Sequence, residues 1–184
     1  MAAKRRWILC LSLMLVWSLA GCNRGHGVEA ADENRTETLL QSEQDFMTKA
    51  WQANTAELDM ARIAHEKSGN TDVRDFANMI ETDHKSALED LTDLMKDNDL
   101  PEPKTIVAAT QQDINRMERL TGPEFDREFV NMMVTEHQNT VEMFRDQQST
   151  AQNGDLRNYV DSVLPVLEMH LDKARQLQSK LFSR

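Results

Sequence analysis

Three histidines and one glutamate occupy positions where the apolar pattern of this sequence calls for core side chains. His84 falls in a stripe whose apolar residues recur at three- and four-residue steps, as on one face of a helix. Glu57, His137 and His170 interrupt the stripes of three other helical segments in the same way. Imidazole and carboxylate groups bind Zn, Cu, Fe, Ni or Mn, and bundle cores are where facing helices assemble such sites. The four residues are therefore a candidate site for a single divalent or transition-metal ion.

A structural role for the same residues is the alternative. A glutamate hydrogen-bonded to histidines can be satisfied inside the protein, where it would set helix register at some cost in stability. A charged, buried Glu57 with nothing to neutralise it would be costly. Because a metal ion and a protonated histidine would both neutralise it, the sequence leaves the two roles open.

Three nearby acids are candidates for alternative ligands or for hydrogen-bond partners of the ligands. Asp83 could orient the ring of His84 or His137, and Glu136 borders the apolar stripe of its helix. Glu81 stands one turn before His84, in the Glu-x-x-His arrangement of di-iron carboxylate bundles.

That arrangement does not recur, which argues against a symmetric di-iron centre. Three residues before the other two core histidines stand Val134 and Leu167 rather than acids. A symmetric centre requires two such motifs, so the sequence favours a site for one metal ion.

The helices that must position these residues follow from the periodicity. Strand-like alternation is absent from the sequence and glycine is scarce, which predicts an all-α fold. Short turns around Gly69 and Gly154 predict two antiparallel hairpins, with Thr71 and Asp155 capping the helices that follow. Pro165 should bend the last helix. The predicted long helices span about 36–67, 71–97, 123–152 and 155–181, and a shorter connecting helix spans about 104–120.

These helices place the four polar residues at one depth. Glu57 and His84 lie about 12 and 14 residues from the first turn, which at ~1.5 Å per residue is roughly 20 Å from that end of the bundle. His137 and His170 lie about 15 and 17 residues from the second turn, at a similar rise. All four therefore fall near the middle of their helices.

The N-terminal residues predict export and a lipid anchor. Lys4, Arg5 and Arg6 precede a short apolar run that is typical of a secretory signal. It ends in Leu19-Ala20-Gly21-Cys22, which resembles the lipobox of bacterial lipoproteins. That resemblance implies a signal peptide over 1–21, a diacylated Cys22 and, since Asn23 follows, sorting to the outer membrane. Residues 22–35 have the composition of a flexible tether, and 36–184 form one domain.

Charge and cysteine content exclude several other classes. The net charge is −10, and no basic patch exists that could neutralise nucleic-acid phosphates. Cys10 would leave with the signal peptide and Cys22 would carry lipid, so no cysteine remains for a disulfide or a thiolate metal site. The sequence shows no nucleophile or phosphate-binding loop and does not point to an enzyme.

The helical segments also resemble a known family, the bacterial exported proteins of domain-of-unknown-function family 4142. The resemblance implies a ferritin-like four-helix bundle whose long crossover, here 99–122, joins the second and third long helices. It implies no activity, because none is established for the family. It covers about 44–181 and rests on Ala-Glu-Leu-Asp-Met-Ala around Glu57, on Phe76-Ala77-Asn78-Met79 before Asp83-His84, on Phe125-Asp126, on 129–134 before His137, and on Leu164-Pro165 before His170-Leu171.

Together these observations predict a lipid-anchored protein of the bacterial cell envelope, held at the outer membrane and facing the periplasm. Its function is either metal binding in the bundle core or a structural or interaction role in which the Glu/His layer sets helix register.

Overall fold

Five α-helices make up the part of the chain that the structure, a computed structural model, describes, namely residues 39–183. No strand occurs among these residues, as the all-α prediction requires. The predicted signal peptide, the tether and Cys22 lie outside the described residues. No helix within them is long and apolar enough to cross a membrane. The helices are α1 (Gln41–Lys67), α2 (Thr71–Asp97), α3 (Ala108–Glu118), α4 (Gly122–Thr150) and α5 (Gly154–Phe182).

The helix boundaries agree with the predicted ones to within a few residues, except at the start of α1, which is Gln41 instead of about residue 36, and in the connecting segment. There α3 begins at Ala108 instead of about residue 104. The β-branched residues Thr105, Ile106 and Val107, which have lower helix propensity, precede it. Gly122, at the start of α4, has φ +57°, a conformation that glycine adopts without steric cost. Pro123 follows in the first turn, as predicted. Helix α5 is continuous through Pro165, and the bend there stays a prediction.

The predicted caps of two helices are wrong. Thr71 is already the first residue of α2, and the cap is Asn70, whose side chain accepts a hydrogen bond from the Asp72 N–H. Asn153 caps α5 in the same way, through the Leu156 N–H. Asp155 lies in the first turn instead, where its charge complements the helix dipole.

Side-chain contacts at one end of the bundle fix the helix directions. Ser68, just after α1, donates a hydrogen bond of 2.6 Å to Asp126 at the start of α4. Lys180, near the end of α5, pairs with Asp72 at the start of α2. Helices α2 and α4 therefore begin at the same end and run parallel. The chain between them must travel the length of the bundle, and α3 packs on α1 and α4 along the way.

The polar layer lies at the boundary between two apolar clusters. One cluster includes Phe76 and Phe129, whose ring centroids are 6.2 Å apart. The other, towards the opposite end, includes Phe46 and Phe144 at 5.0 Å. The core thus supplies closely packed apolar side chains on both sides of the layer.

At the end of the bundle near the second cluster, Glu43 ties the start of α1 to the turn between α4 and α5. Its side chain is 1% exposed and accepts hydrogen bonds from the N–H groups of Leu40 (2.8 Å), Gln152 (2.8 Å) and Asn153 (2.9 Å). Burial opposes ionisation of Glu43, but these backbone groups and Arg157 outweigh it and lower the pKa.

We expect Glu43→Ala to lower the free energy of unfolding by about 3 kcal/mol, because it leaves three N–H groups without their charged acceptor. Glu43→Gln keeps a carbonyl oxygen and should lose less. Urea denaturation of both variants measures the difference. Glu142→Ala, on the exposed face of α4, is the matched control and should stay within about 0.5 kcal/mol of wild type. Equal stability of the Glu43→Ala and Glu142→Ala variants would contradict this account.

Candidate metal centre

Each long helix contributes one polar side chain to a buried layer at the middle of the bundle. Glu57 comes from α1, His84 from α2, His137 from α4 and His170 from α5. None of the four is more than 4% exposed. The structure therefore brings together the residues that interrupt the four apolar stripes.

The three imidazole rings form a nearly equilateral triangle. The ring centroid of His84 is 5.4 Å from that of His137 and 5.3 Å from that of His170, and the third side is 5.4 Å. One nitrogen from each ring lies within 4.8 Å of the others. Tetrahedral ligation at about 2.0–2.1 Å would place such nitrogens roughly 3.4 Å apart, so the rings need to draw together by at most about 1.4 Å.

Two of the rings are held by a hydrogen bond from one nitrogen, which leaves the other nitrogen free. His137 Nδ1 lies 3.0 Å from the Met133 carbonyl and donates to it. His170 Nε2 lies 2.8 Å from Asp83 Oδ2 and donates to it. With those protons assigned, His137 Nε2 and His170 Nδ1 each carry a free lone pair, and both nitrogens are buried without a hydrogen-bond partner. Metal-binding histidines are oriented by outer partners of this kind.

The His84 ring lies between two groups that favour different tautomers. The Asn54 side-chain amide fits best with its nitrogen towards His84. In that orientation the nitrogen lies 2.9 Å from the His84 backbone carbonyl oxygen and 3.1 Å from His84 Nδ1, whereas the amide oxygen would face that carbonyl in the other orientation. Glu57 Oε2 lies 3.0 Å from the same Nδ1. If Asn54 donates to Nδ1, the ring proton is on Nε2, which has no partner. A cation at Nε2 would instead place the proton on Nδ1, towards Glu57.

Glu57 has no hydrogen bond in this layer. Its Oε1 lies 3.8 Å from His137 Nδ1, and neither this contact nor the one to His84 is aligned for a hydrogen bond, so both carboxyl oxygens are buried without a partner. Burial, with a smaller contribution from the charge of Glu136, raises the pKa of Glu57 to about 8. In the metal-free protein at neutral pH the carboxyl group is therefore mostly protonated.

Burial also keeps the three histidines neutral. It lowers the pKa of His84 well below its ordinary value, with repulsion from the other two rings, and lowers the pKa of His137 to about 3. The pKa of His170 is lowered too, although Asp83 opposes the shift. Neutral imidazole is the form that binds metals.

The alternative ligands predicted near the stripe lie in three different places. Asp83 does orient a ring, but the ring is that of His170 instead of His84 or His137, because the α2–α5 contact brings them together. Glu81 does not reach the layer: it is partly exposed and lies 3.6 Å from Arg62. Glu136 is half-buried and lines a cavity of about 210 Å³ with Glu57, outside the histidine triangle.

Asn54 is the residue of this site that the sequence reasoning missed. Its position three residues before Glu57, on the same helix face, is a usable signal, because residues three apart on a helix are neighbours.

Helix order, the long crossover and the central polar layer define a ferritin-like four-helix bundle. A family model described as a domain of unknown function (DUF4142) matches residues 28–177, and the chain belongs to that family. The predicted fold and family are thereby confirmed.

Solved structures of the DUF305 family are similar in fold. A DUF305 fragment from Deinococcus radiodurans is 15% identical, with a TM-score of 0.69 over 77% of this chain and 97% of that one. A DUF305 protein from Streptomyces coelicolor, described as secreted, is 12% identical, with a TM-score of 0.67 over 76% of this chain and 92% of that one. A comparison with curated proteins finds no match. At these identities the likeness shows the fold alone.

Proposed function

We propose that this protein binds one transition-metal ion in the bundle core, through a ring nitrogen of each of His84, His137 and His170 and a carboxylate oxygen of Glu57. The observation that carries the proposal is that one nitrogen from each of the three rings lies within 4.8 Å of the others. The layer also contains five buried polar atoms with no hydrogen-bond partner: both Glu57 oxygens and one nitrogen of each ring. Buried polar atoms are nearly always paired, so such a concentration in one layer calls for a bound group. A cation held by the three rings would satisfy their free nitrogens. The Glu57 oxygens lie at the Nδ1 edges of His84 and His137, so Glu57 has to turn towards the ion to become its fourth ligand.

The chemistry of the donor atoms limits which metal ions suit the site. Three neutral imidazoles with one carboxylate suit Zn²⁺, Cu²⁺, Ni²⁺ or Fe²⁺. Mg²⁺ and Ca²⁺ prefer six or more oxygen ligands, which this layer does not offer. Binding would also ionise Glu57, and the carboxylate would then offset part of the charge of the ion.

A structural role remains the second candidate, and one observation favours it. Burial keeps the histidines neutral and Glu57 protonated at neutral pH, so the layer carries little charge without any ion. Such a layer could set the register of the four helices, since a helix shifted along its axis would move its polar side chain into an apolar cluster.

Elemental analysis of the untagged domain, residues 23–184, purified from metal-supplemented medium, separates the two functions. We expect about one metal ion per chain in wild type and none in the His84→Ala variant, which lacks one ring nitrogen. His65→Ala is the control, because His65 is exposed on α1 and should leave the metal content unchanged. No metal in wild type would contradict metal binding and favour the structural role.

We also propose that the protein is anchored by lipid on Cys22 at the outer membrane, facing the periplasm. The lipobox-like Leu19-Ala20-Gly21-Cys22 supports this proposal. Cys22→Ser should move the protein from the membrane fraction to the soluble periplasmic fraction, because the acyl chains supply the membrane affinity. Cys10→Ser is the matched control, since it retains Cys22. Membrane retention of the Cys22→Ser protein would refute the anchor.

A further inference from the structure

The polar layer is not sealed on all sides. A cavity of about 240 Å³ lies between α2 and α5 and reaches Glu57, His84 and His170, whereas His137 does not line it. Since those three side chains are almost fully buried, they form its inner end. The rim contains the exposed residues Ser86 and Asp90.

The walls of the cavity are largely apolar and owe their space to small side chains. Ala87 of α2 and Val163, Val166 and Leu167 of α5 are among the lining residues. At about 240 Å³ the space is smaller than the ~300–1,000 Å³ pockets of drug-sized ligands, so it fits only a small molecule.

The position of the cavity determines what a metal ion in the layer would expose. Glu57, His84 and His170 border the cavity, so an ion bound in the layer would lie beside its inner end. An ion held by the three histidines alone keeps a fourth position for water or substrate, and one that also binds Glu57 can still expand from four ligands to five, as zinc does. The cavity side is where an outside ligand could take such a position.

The charges around the cavity select the ligand. Asp83 and Asp90 lie along its outer part and would repel an anion. The metal ion would repel a cation, and the apolar walls disfavour either charge. Borderline metal ions accept nitrogen donors well.

We infer that the α2–α5 cavity binds a small, uncharged molecule with an apolar body and one nitrogen donor that coordinates the metal. This inference rests on the proposed metal site. It gives the metal site a second ligand, a small molecule in addition to the ion. The site would then keep a coordination position for an outside molecule, which a purely structural metal site does not.

The test uses the full-length chain in detergent, loaded with Co²⁺ as a spectroscopic probe and titrated with imidazole. We expect a saturable change in the visible cobalt spectrum, with acetate at least ten-fold weaker because it is an anion. Ala87→Phe fills the cavity and should weaken the imidazole response at least ten-fold while keeping one cobalt per chain. Ser86→Trp, at the exposed rim, is a second blocking variant in case the first folds poorly. Ala109→Phe, exposed on α3, is the matched control.

The outcomes separate this inference from the proposed function. Absence of cobalt binding overturns both. Stoichiometric cobalt without an imidazole response, or with cobalt stripped from the protein by imidazole, overturns only the inference. It is likewise overturned if both blocking variants respond as wild type does, or if acetate binds as well as imidazole.

Discussion

Replacing the whole polar layer by leucine, in the quadruple variant of Glu57, His84, His137 and His170, is expected to abolish metal binding and to stabilise the metal-free protein. Each buried polar atom without a partner costs about 1–3 kcal/mol, and the layer contains five. Apolar replacement of buried ion pairs, which are more costly to bury than neutral groups, leaves stability unchanged or raises it by about 1–4 kcal/mol. We therefore expect a gain of roughly 3 kcal/mol in urea denaturation with a chelator present.

At saturating metal, wild type should become more stable than the quadruple variant. An ion that binds only the folded state adds about 4 kcal/mol at 1,000 times its dissociation constant, and only wild type can gain it. His65→Leu, which changes an exposed histidine, is the control and should alter neither measurement. A quadruple variant that is less stable than metal-free wild type would mean that the layer supports the fold by itself. That outcome would favour the structural function.

The stability of the metal-free protein is expected to be greatest at about pH 7 and to fall on both sides. The histidine pKa values are lowered in the folded state, so the unfolded chain binds more protons below about pH 6.5. Their contribution is present above that pH and is lost as the pH falls. The pKa of Glu57 is raised from 4.5 to about 8, so its contribution is present below pH 4.5 and is lost as the pH rises to about 8.

Three histidines outweigh one glutamate on the acid side. We expect a loss of a few kcal/mol between about pH 7 and pH 5, and a smaller loss of about 1 kcal/mol between about pH 7 and pH 8.5. Urea denaturation across this pH range, with a chelator present, measures the loss of stability on both the acid and the alkaline side. Glu57→Gln should remove the alkaline loss and keep the acidic one. An unchanged alkaline limb in that variant would show that Glu57 does not titrate as described.

Much of the fold could be predicted because each helix carries its own signal. The apolar period marked the long helices, and Gly-containing turns at 68–70 and 153–154 separated them to within a few residues. The caps were less predictable, because Asn70 and Thr71 are both good capping residues and only the helix start decides between them. In the crossover, α3 begins four residues later than predicted, in a segment where the apolar period was weak.

The sequence by itself determined that Glu57, His84, His137 and His170 share one depth in the core, because that depth follows from residue counts along regular helices. Only the tertiary structure decided that Asp83 orients His170, that Asn54 contacts His84, and that a cavity opens between α2 and α5. These features depend on how each helix is rotated towards its neighbours and which rotamer each side chain adopts. Both are set by packing between segments that are distant in sequence, and a periodic pattern within one helix carries no record of them.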